Sequence, residues 1–461
     1  MKRLAVFCWL VWAAGASATR ADPETPFTPP APATSNFLVR DEAAVGAVVG
    51  ASFHTTYIRL GTRSAEGLLY DPSSGTASRT ALIYLHPNGN TFDEVVGVQM
   101  ASRGYRTLMV NHHGPEEADD AYAPSISRGV AFLRTLPGVE RVVLVAHSGG
   151  GHVAAFYQNV AENGPAACNG PEKIQPCRED LVRDLAKADG LILLDPTLGA
   201  FHQMSSIDPA LTAAGREPAL DMFDPANGYD PTTRRAAYSP DFVRAFHAAQ
   251  AARNTEIVTQ ALARRDAVSH RQGAYRDDEP LLIPSMGVGP AGARLYQTDP
   301  RILARTRAAH LLLGADGQDS MGIILSVRPS TGPQATAAQP SLAMTQDTTV
   351  NRLLGMSAIR TLPGFAITDD DITGVDWPSA ISSTPANAAG VTVPTLVLTM
   401  SCHYLVVPGE IVFNHLAASD RTYASVEGAT HLFAPCRPQY GDTMKRTFDY
   451  LDAWLGKEGR F

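Results

Sequence analysis

Val142-Val143-Leu144-Val145-Ala146-His147-Ser148-Gly149-Gly150-Gly151 is the stretch on which the reading of the fold turns. Its first part is a short, Val-rich apolar run that ends at glycines, the pattern of a strand buried on both faces of a parallel sheet. Directly after the His-Ser-Gly-Gly step, Val153, Ala154, Ala155, Phe156 and Tyr157 read as the first turns of a helix. The stretch is therefore a strand, a sharp turn holding one serine, and a helix. Small residues are needed at such a turn because it is strained and the backbones of strand and helix pass close together. A turn of this kind either presents its serine as a nucleophile or holds a phosphate at the helix N-terminus. What separates the two is whether the rest of a catalytic constellation follows in the right order.

The remainder of the 461-residue chain sets the bounds. Residues 1–21 carry Lys2 and Arg3, an apolar run over 4–14 and then small residues including Ala16-Ser17-Ala18, the layout of a secretory signal peptide. That run is short for a membrane span, and no later segment has enough unbroken apolar residues for one. Cys8 lies inside the run, so no lipid anchor is expected. The mature protein is expected to be soluble and exported, secreted or periplasmic, and to begin with a flexible Pro-rich leader over 22–36. A formal net charge of −8 gives no electrostatic reason to expect nucleic acid as a partner. Apart from Cys8, the cysteines are Cys168, Cys177, Cys402 and Cys436. An even number in an exported chain reads as two disulfides with three possible connectivities. The preferred pairing is Cys168 with Cys177, which closes a small loop, and Cys402 with Cys436. A zinc site is the rival reading, but there is no C-x-x-C pair and the spacings are wrong for one.

Outward from the serine turn, the chain reads as strands alternating with helices. Upstream, two alternating segments (56–60 and 68–70) read as leading antiparallel strands. A continuous apolar strand over 81–85 follows and ends in His86-Pro87-Asn88-Gly89-Asn90. Then come a helix around 92–102, a strand over 107–110 ending in Asn111-His112-His113-Gly114, and a helix over 122–136. The two adjacent histidines raise a metal, but sequence neighbours point to different sides and no acidic ligand sits at a convincing spacing, so none is expected. Downstream, a helix over 178–187 leads to the strand 190–194 and then Asp195-Pro196. Residues 197–390 change character: helical stretches, one begun by the N-cap and first-turn proline of Ser239-Pro240-Asp241, alternate with Pro/Gly-rich loops. The core resumes with a strand over 393–400, a helix near 411–418, a strand over 422–426 running into Glu427-Gly428-Ala429-Thr430-His431, and a closing amphipathic helix over Thr443–Leu455. The fold class is α/β, a doubly wound, mostly parallel sheet with a large, mainly helical cap insertion. The core occupies 37–195 and 391–461 and the cap 196–390.

In its strand–turn–helix setting, Ala146-His147-Ser148-Gly149-Gly150 is one methyl away from the G-x-S-x-G nucleophile elbow. On that element, and on His431 placed shortly after the last strand, the chain resembles the α/β-hydrolase superfamily over about 37–195 and 392–461. The resemblance implies that Ser148 is the nucleophile and His431 the general base, oriented by a carboxylate. In the superfamily the strand here read over 81–85 ends in a His-Gly-x turn whose third residue offers an N–H to the oxyanion. Pro87 stands in the place of that Gly and has no N–H, so the implied donors are the backbone N–H groups of Asn88 and Gly149. The plain alternative at 87–89 is a Pro-Asn-Gly turn.

The acid departs from the commonest pattern. The superfamily's usual Asp sits in the loop after the strand that here ends at Met400, but 401–410 holds no Asp, and His403 stands near its place. Asp195, at the end of the preceding core strand, and Glu410, further along the loop, are the candidates. Some lipases and dehalogenases of the superfamily take their acid from the earlier strand, and Glu410 has an ordinary reason to sit near a helix N-terminus, so Asp195 is preferred. A Cys402–Cys436 bridge would tie this loop to the one carrying His431, as a comparable bridge does in polyester-degrading and cutinase-like enzymes. The implied function is an exported serine hydrolase that cleaves small-molecule carboxylic esters through an acyl-enzyme, with no cofactor. An amidase, peptidase or lactonase with the same triad is one alternative. A non-catalytic binding protein on the same fold is the other, motivated by the missing Asp. The natural substrate and the oligomeric state are not legible.

Overall fold

The computed structural model describes residues 53–61, 65–73, 77–87, 90–112, 118–212, 215–283, 286, 292–329 and 346–461. The segment read as a signal peptide (1–21), the leader (22–36), His113 and the expected oxyanion donor Asn88 lie outside the described residues. Ten strands form one sheet: β1 (Phe53–Arg59), β2 (Ala65–Pro72), β3 (Thr80–Leu85), β4 (Thr107–His112), β5 (Arg141–His147), β6 (Gly190–Leu194), β7 (Arg305–Leu313), β8 (Asp319–Leu325), β9 (Thr395–Met400) and β10 (Arg421–Val426). Their spatial order is β1-β2-β4-β3-β5-β6-β9-β10-β7-β8. β1, β2 and β4 pair antiparallel, as do β7 and β8 at the far edge, and the pairs from β4 through to β7 are parallel.

β3, β6 and β9 are buried along their whole length, which explains why they read as unbroken apolar runs rather than alternating ones. Alternation survives in which side each residue serves. Leu82, Tyr84, Val143, Val145, Ile192, Leu194, Leu396 and Leu398 enter one core. Ala81, Ile83, Leu85, Val142, Leu144, Ala146, Leu191, Leu193 and Val397 enter the other. The longer helices among the described residues are α1 (Val95–Ala101), α2 (Ala123–Thr135), α3 (Gly150–Asn163), α4 (Pro240–Ser269), α5 (Val406–His415) and α6 (Thr443–Leu455). α1 and α6 cover the first face through Val96, Met100, Phe448 and Leu451. α2, α3 and α5 cover the second through Ile126, Val130, Phe156, Val160, Val406 and Val412. Each such side chain contributes about 1.5–3 kcal/mol by leaving water, and the two layers hold the C-terminal ends of β3, β5, β6 and β9 as one rigid rim.

The stretch 196–390, expected as a single cap, is divided. β7 and β8 lie inside it, yet they extend the core sheet, with Leu311, Leu312 and Leu313 in parallel register against Ala424, Ser425 and Val426 of β10. The physical reason is edge protection: β10 would otherwise expose a full row of unpaired N–H and C=O groups, and the hairpin closed at Gly317 (φ 79°) covers it. The remainder of the insertion is built on α4, 30 residues long, with Ser239 accepting from the N–H of Phe242 at 3.2 Å and Pro240 in its first turn. A hairpin, Arg360–Ile367 with Ile372–Asp376, packs against α4. Two helix readings also change. The helix read over 178–187 is the single turn Glu179–Val182, and α5 starts at Val406, so Glu410 lies in its second turn. No helix among the described residues is long and apolar enough to cross a membrane.

Candidate active site

The turn between β5 and α3 holds Ser148 in the left-handed region, φ 55°, a conformation that costs a non-Gly residue of order 1–3 kcal/mol. Its surroundings over-determine it. The Ser148 N–H donates to the Leu194 carbonyl at 3.0 Å, and the Ser148 carbonyl accepts from the N–H groups of Gly151 and Thr197, both at 3.1 Å. The two glycines that open α3 are needed for close approach. A Cβ on Gly150 would fall on the carbonyl oxygen of Leu85 at the end of β3, and one on Gly151 would lie 2.8 Å from the Cβ of Pro196. Ala146, in place of the motif's first Gly, is fully buried in the ladder between Leu85 and Leu193, where a methyl fits.

Asp195 leaves the end of β6 with φ 43° and a side chain closed to solvent. Its Oδ2 lies 2.6 Å from His431 Nδ1 and 2.7 Å from His403 Nδ1, and its Oδ1 accepts from the N–H of Met400 at 3.2 Å. A carboxylate only accepts, so both imidazoles donate from Nδ1. Burial opposes the charge on Asp195, but the two imidazoles outweigh it and hold the carboxyl well below the usual range. These three side chains are also the one group among the described residues with the spacing of a metal site. Both ring nitrogens, however, sit at hydrogen-bond distance from a single oxygen, and a metal-ligating imidazole presents a bare nitrogen. The contacts are hydrogen bonds.

His431 rides on a tight turn in which Thr430 N–H donates to Ala434 and Phe433 N–H to Thr430. Cys436, just beyond, is bridged to Cys402 in the loop after β9, and Cys168 is bridged to Cys177. The Nε2–H of His147 donates to the His431 carbonyl at 2.8 Å, and its ring lies 4.5 Å from that of His431. Burial, aided by the nearby His431, pushes His147 well below its ordinary range, so it stays a neutral donor. On α3, His152 Nδ1 lies 2.9 Å from Asp119 Oδ1, and burial pushes that carboxyl up against the opposing pull of His152.

No family model and no curated protein matches the sequence. Among solved structures the chain is similar to a fungal esterase from Rhizomucor miehei (11% identity, TM-score 0.40, 91% of this chain and 86% of that one). It is likewise similar to brefeldin A esterase, described as a bacterial homologue of human hormone-sensitive lipase (12%, TM-score 0.36, 88% and 75%). A third is a hypothetical protein from Pseudomonas aeruginosa (14%, TM-score 0.39, 87% and 94%). What decides the fold is the strand order, with antiparallel β2, a reversal at β3 and β4, and the serine turn following β5. This is the α/β-hydrolase fold.

On the α/β-hydrolase sheet, the rim after β5, β6 and β10 brings Asp195 and His431 together and stands Ser148 on the adjoining turn. Glu410, the other carboxylate weighed from sequence, is used elsewhere. Its oxygens accept from the N–H groups of Arg307 and Ala308 and from His310 Nε2, each at 2.8 Å, and it anchors the start of β7. Burial opposes its charge, but those donors hold it below the usual glutamate range. Gly149, the N-cap of α3, faces Pro87, whose Cγ would lie 3.1 Å from a Cβ there, so Pro87 after β3 abuts the serine turn. Sequence reasoning did not give partners to His147 or His403. The one signal for His403 was its position in the loop where the superfamily keeps its Asp.

Proposed function

We propose that the protein is an exported serine hydrolase that cleaves carboxylic esters. The observation that carries this reading is the 2.6 Å contact between His431 Nδ1 and Asp195 Oδ2 beside a serine held in the left-handed turn after β5. With Nδ1–H donated to Asp195, the free Nε2 of His431 is the acceptor for a hydroxyl proton. Ser148 Oγ attacks the ester carbonyl carbon while His431 takes its proton. The resulting oxyanion is held by the N–H groups of Gly149 and Asn88. Collapse expels the alcohol, which leaves with the proton from His431, and Ser148 is left acylated. Water then attacks the acyl-enzyme with His431 as base, and the acid is released. Asp195 stays ionised throughout and stabilises the imidazolium. The insertion leads directly from Asp195, and within it the ring of Phe201 lies 5.5 Å from Trp377 and 6.2 Å from Phe365. It is the part that selects acyl and alcohol groups. Two disulfides agree with export.

The test is labelling of the protein with a fluorophosphonate, with Ser148→Ala beside it, followed by hydrolysis of p-nitrophenyl acetate, butyrate and octanoate and the matching anilides. Label on Ser148 and turnover of esters in preference to anilides are expected. Label with anilides turned over as fast as esters replaces the esterase by an amidase. An unlabelled wild-type protein replaces the enzyme by a binding module.

A further inference from the structure

We infer that His403 is a positioning residue that tunes His431: by donating its Nδ1–H to the carboxylate oxygen that also holds His431, it weakens that oxygen's hold on the imidazole. The inference rests on the reading of Ser148, His431 and Asp195 as the catalytic machinery.

Asp195 Oδ2 receives both Nδ1–H groups and Oδ1 the Met400 N–H, and no other donor among the described residues reaches the carboxylate. An oxygen with two donors spreads its charge over two bonds, so each donor is held less strongly than it would be alone. His403 is fixed for this role from several sides. Its N–H donates to the Met400 carbonyl at 3.0 Å. Its carbonyl accepts from Ser326 Oγ at 2.7 Å, and Ser326 Oγ in turn accepts from Arg328 Nη1 at 2.6 Å. Its ring lies 4.2 Å from Tyr404 and 4.5 Å from His431, and the preceding Cys402 is bridged to Cys436. Burial, helped by the charges of His431 and Arg328, pushes His403 down against the pull of Asp195, so it acts as a neutral donor and adds no charge.

The other polar and titratable groups around the pair are spread over several elements. His86 and His147 stand at the ends of β3 and β5. His202 follows Asp195 on the insertion, with Arg294 donating to its carbonyl at 2.8 Å. Tyr404 and Tyr296 lie 4.8 Å apart beside them, Arg328 follows β8, and His152 with Asp119 lies on the α3 side. Replacing His403 by an uncharged residue alters the charge of none of them.

The experiment compares the pH dependence of kcat/KM, and of the fluorophosphonate labelling rate, for wild type, His403→Phe, His403→Leu and His403→Asn. The first two remove the donor, and the third keeps an N–H where Nδ1 was. The acid limb is expected to move up by about 0.5–1 pH unit in His403→Phe and His403→Leu, a loss of about threefold to tenfold on that limb, and to stay in place in His403→Asn. Wild-type labelling with an acid limb common to all four proteins, or one that moves equally in all three variants, overturns the inference and leaves the serine hydrolase standing. An unlabelled wild type overturns both. A measurement independent of how the donor-free variants fold is the proton spectrum of the histidine-labelled protein. Three low-field Nδ1–H resonances, those of His431, His403 and the separate His152–Asp119 pair, are expected in wild type and two in His403→Asn. A wild-type spectrum that loses no low-field resonance in His403→Asn refutes the shared oxygen.

Discussion

At the scale of single residues, Asp195 and Glu410 are two buried carboxylates with opposite assignments. Asp195→Asn keeps the shape but presents an amide to His431 and favours the wrong tautomer, so kcat is expected to fall by roughly four orders of magnitude with the fold intact. Glu410→Gln is expected to leave kcat within about threefold, while losing about 1–3 kcal/mol because three donors at the start of β7 lose their charged acceptor. Steady-state kinetics beside urea denaturation separates the two, and a reversed pattern would move the acid to Glu410. The placement of Ser148 and Asp195 at strand ends, and of His431 a short turn beyond one, was legible because each follows a short apolar run that reads as a buried strand, and the ends of parallel strands converge on one rim. Glu410 looked comparable because a helix start cannot be located to one turn from sequence. With α5 beginning at Val406, the residue lies past the first turn and faces β7. The bonds of His147 and His403 were not legible, since both partners approach from segments hundreds of positions away.

At the scale of elements, the serine turn and the loop bridge carry the expectations. Gly150→Ala puts a methyl where the end of β3 passes, and is expected to cost about 1–3 kcal/mol of overpacking, read as a lower urea midpoint. An unchanged midpoint would mean that β3 can retreat. Opening the Cys402–Cys436 bridge with a paired Cys402→Ser and Cys436→Ser change releases a loop of sequence separation 34, worth about 3–4 kcal/mol in chain entropy. Activity is expected to fall with it, since the bridge ties the loops that carry His403 and His431. Full activity in the doubly substituted protein would show that hydrogen bonds alone hold them. The amphipathic closing helix and the N-cap at Ser239 were readable because period and cap chemistry are local. β7 and β8 were not. Their short apolar runs sit inside a stretch rich in turn residues, and only the open edge of β10 makes a sheet strand of them.

At the scale of the whole molecule, burial has left several imidazoles neutral. It pushes His147 and His202 well below the usual range, lowers His403, and brings His247 down to about 4. A histidine whose folded value is depressed binds its proton more readily when unfolded. Its contribution to stability is therefore complete above about 6.5 and is lost as pH falls toward the folded value. Stability is expected to decline between about pH 6.5 and 4, by up to about 1.4 kcal/mol per pH unit for each such group. Urea midpoints measured across that range are expected to show the decline, and His247→Phe is expected to flatten it by about one proton. A midpoint independent of pH would mean that these rings are solvated. The sheet's connectivity has a further outcome, in the order of synthesis. β10 is the last strand made, yet it lies between β9 and the earlier hairpin of β7 and β8. A nascent chain halted before residue 421 therefore carries a hairpin with no neighbour, a Cys402 with no mate and an Asp195 still awaiting His431. Truncated products are edge-exposed and lack the proposed base. On the proposed mechanism the capacity to react arrives only with β10 and the turn beyond it, so activity would certify that the chain has been read past the end of the sheet.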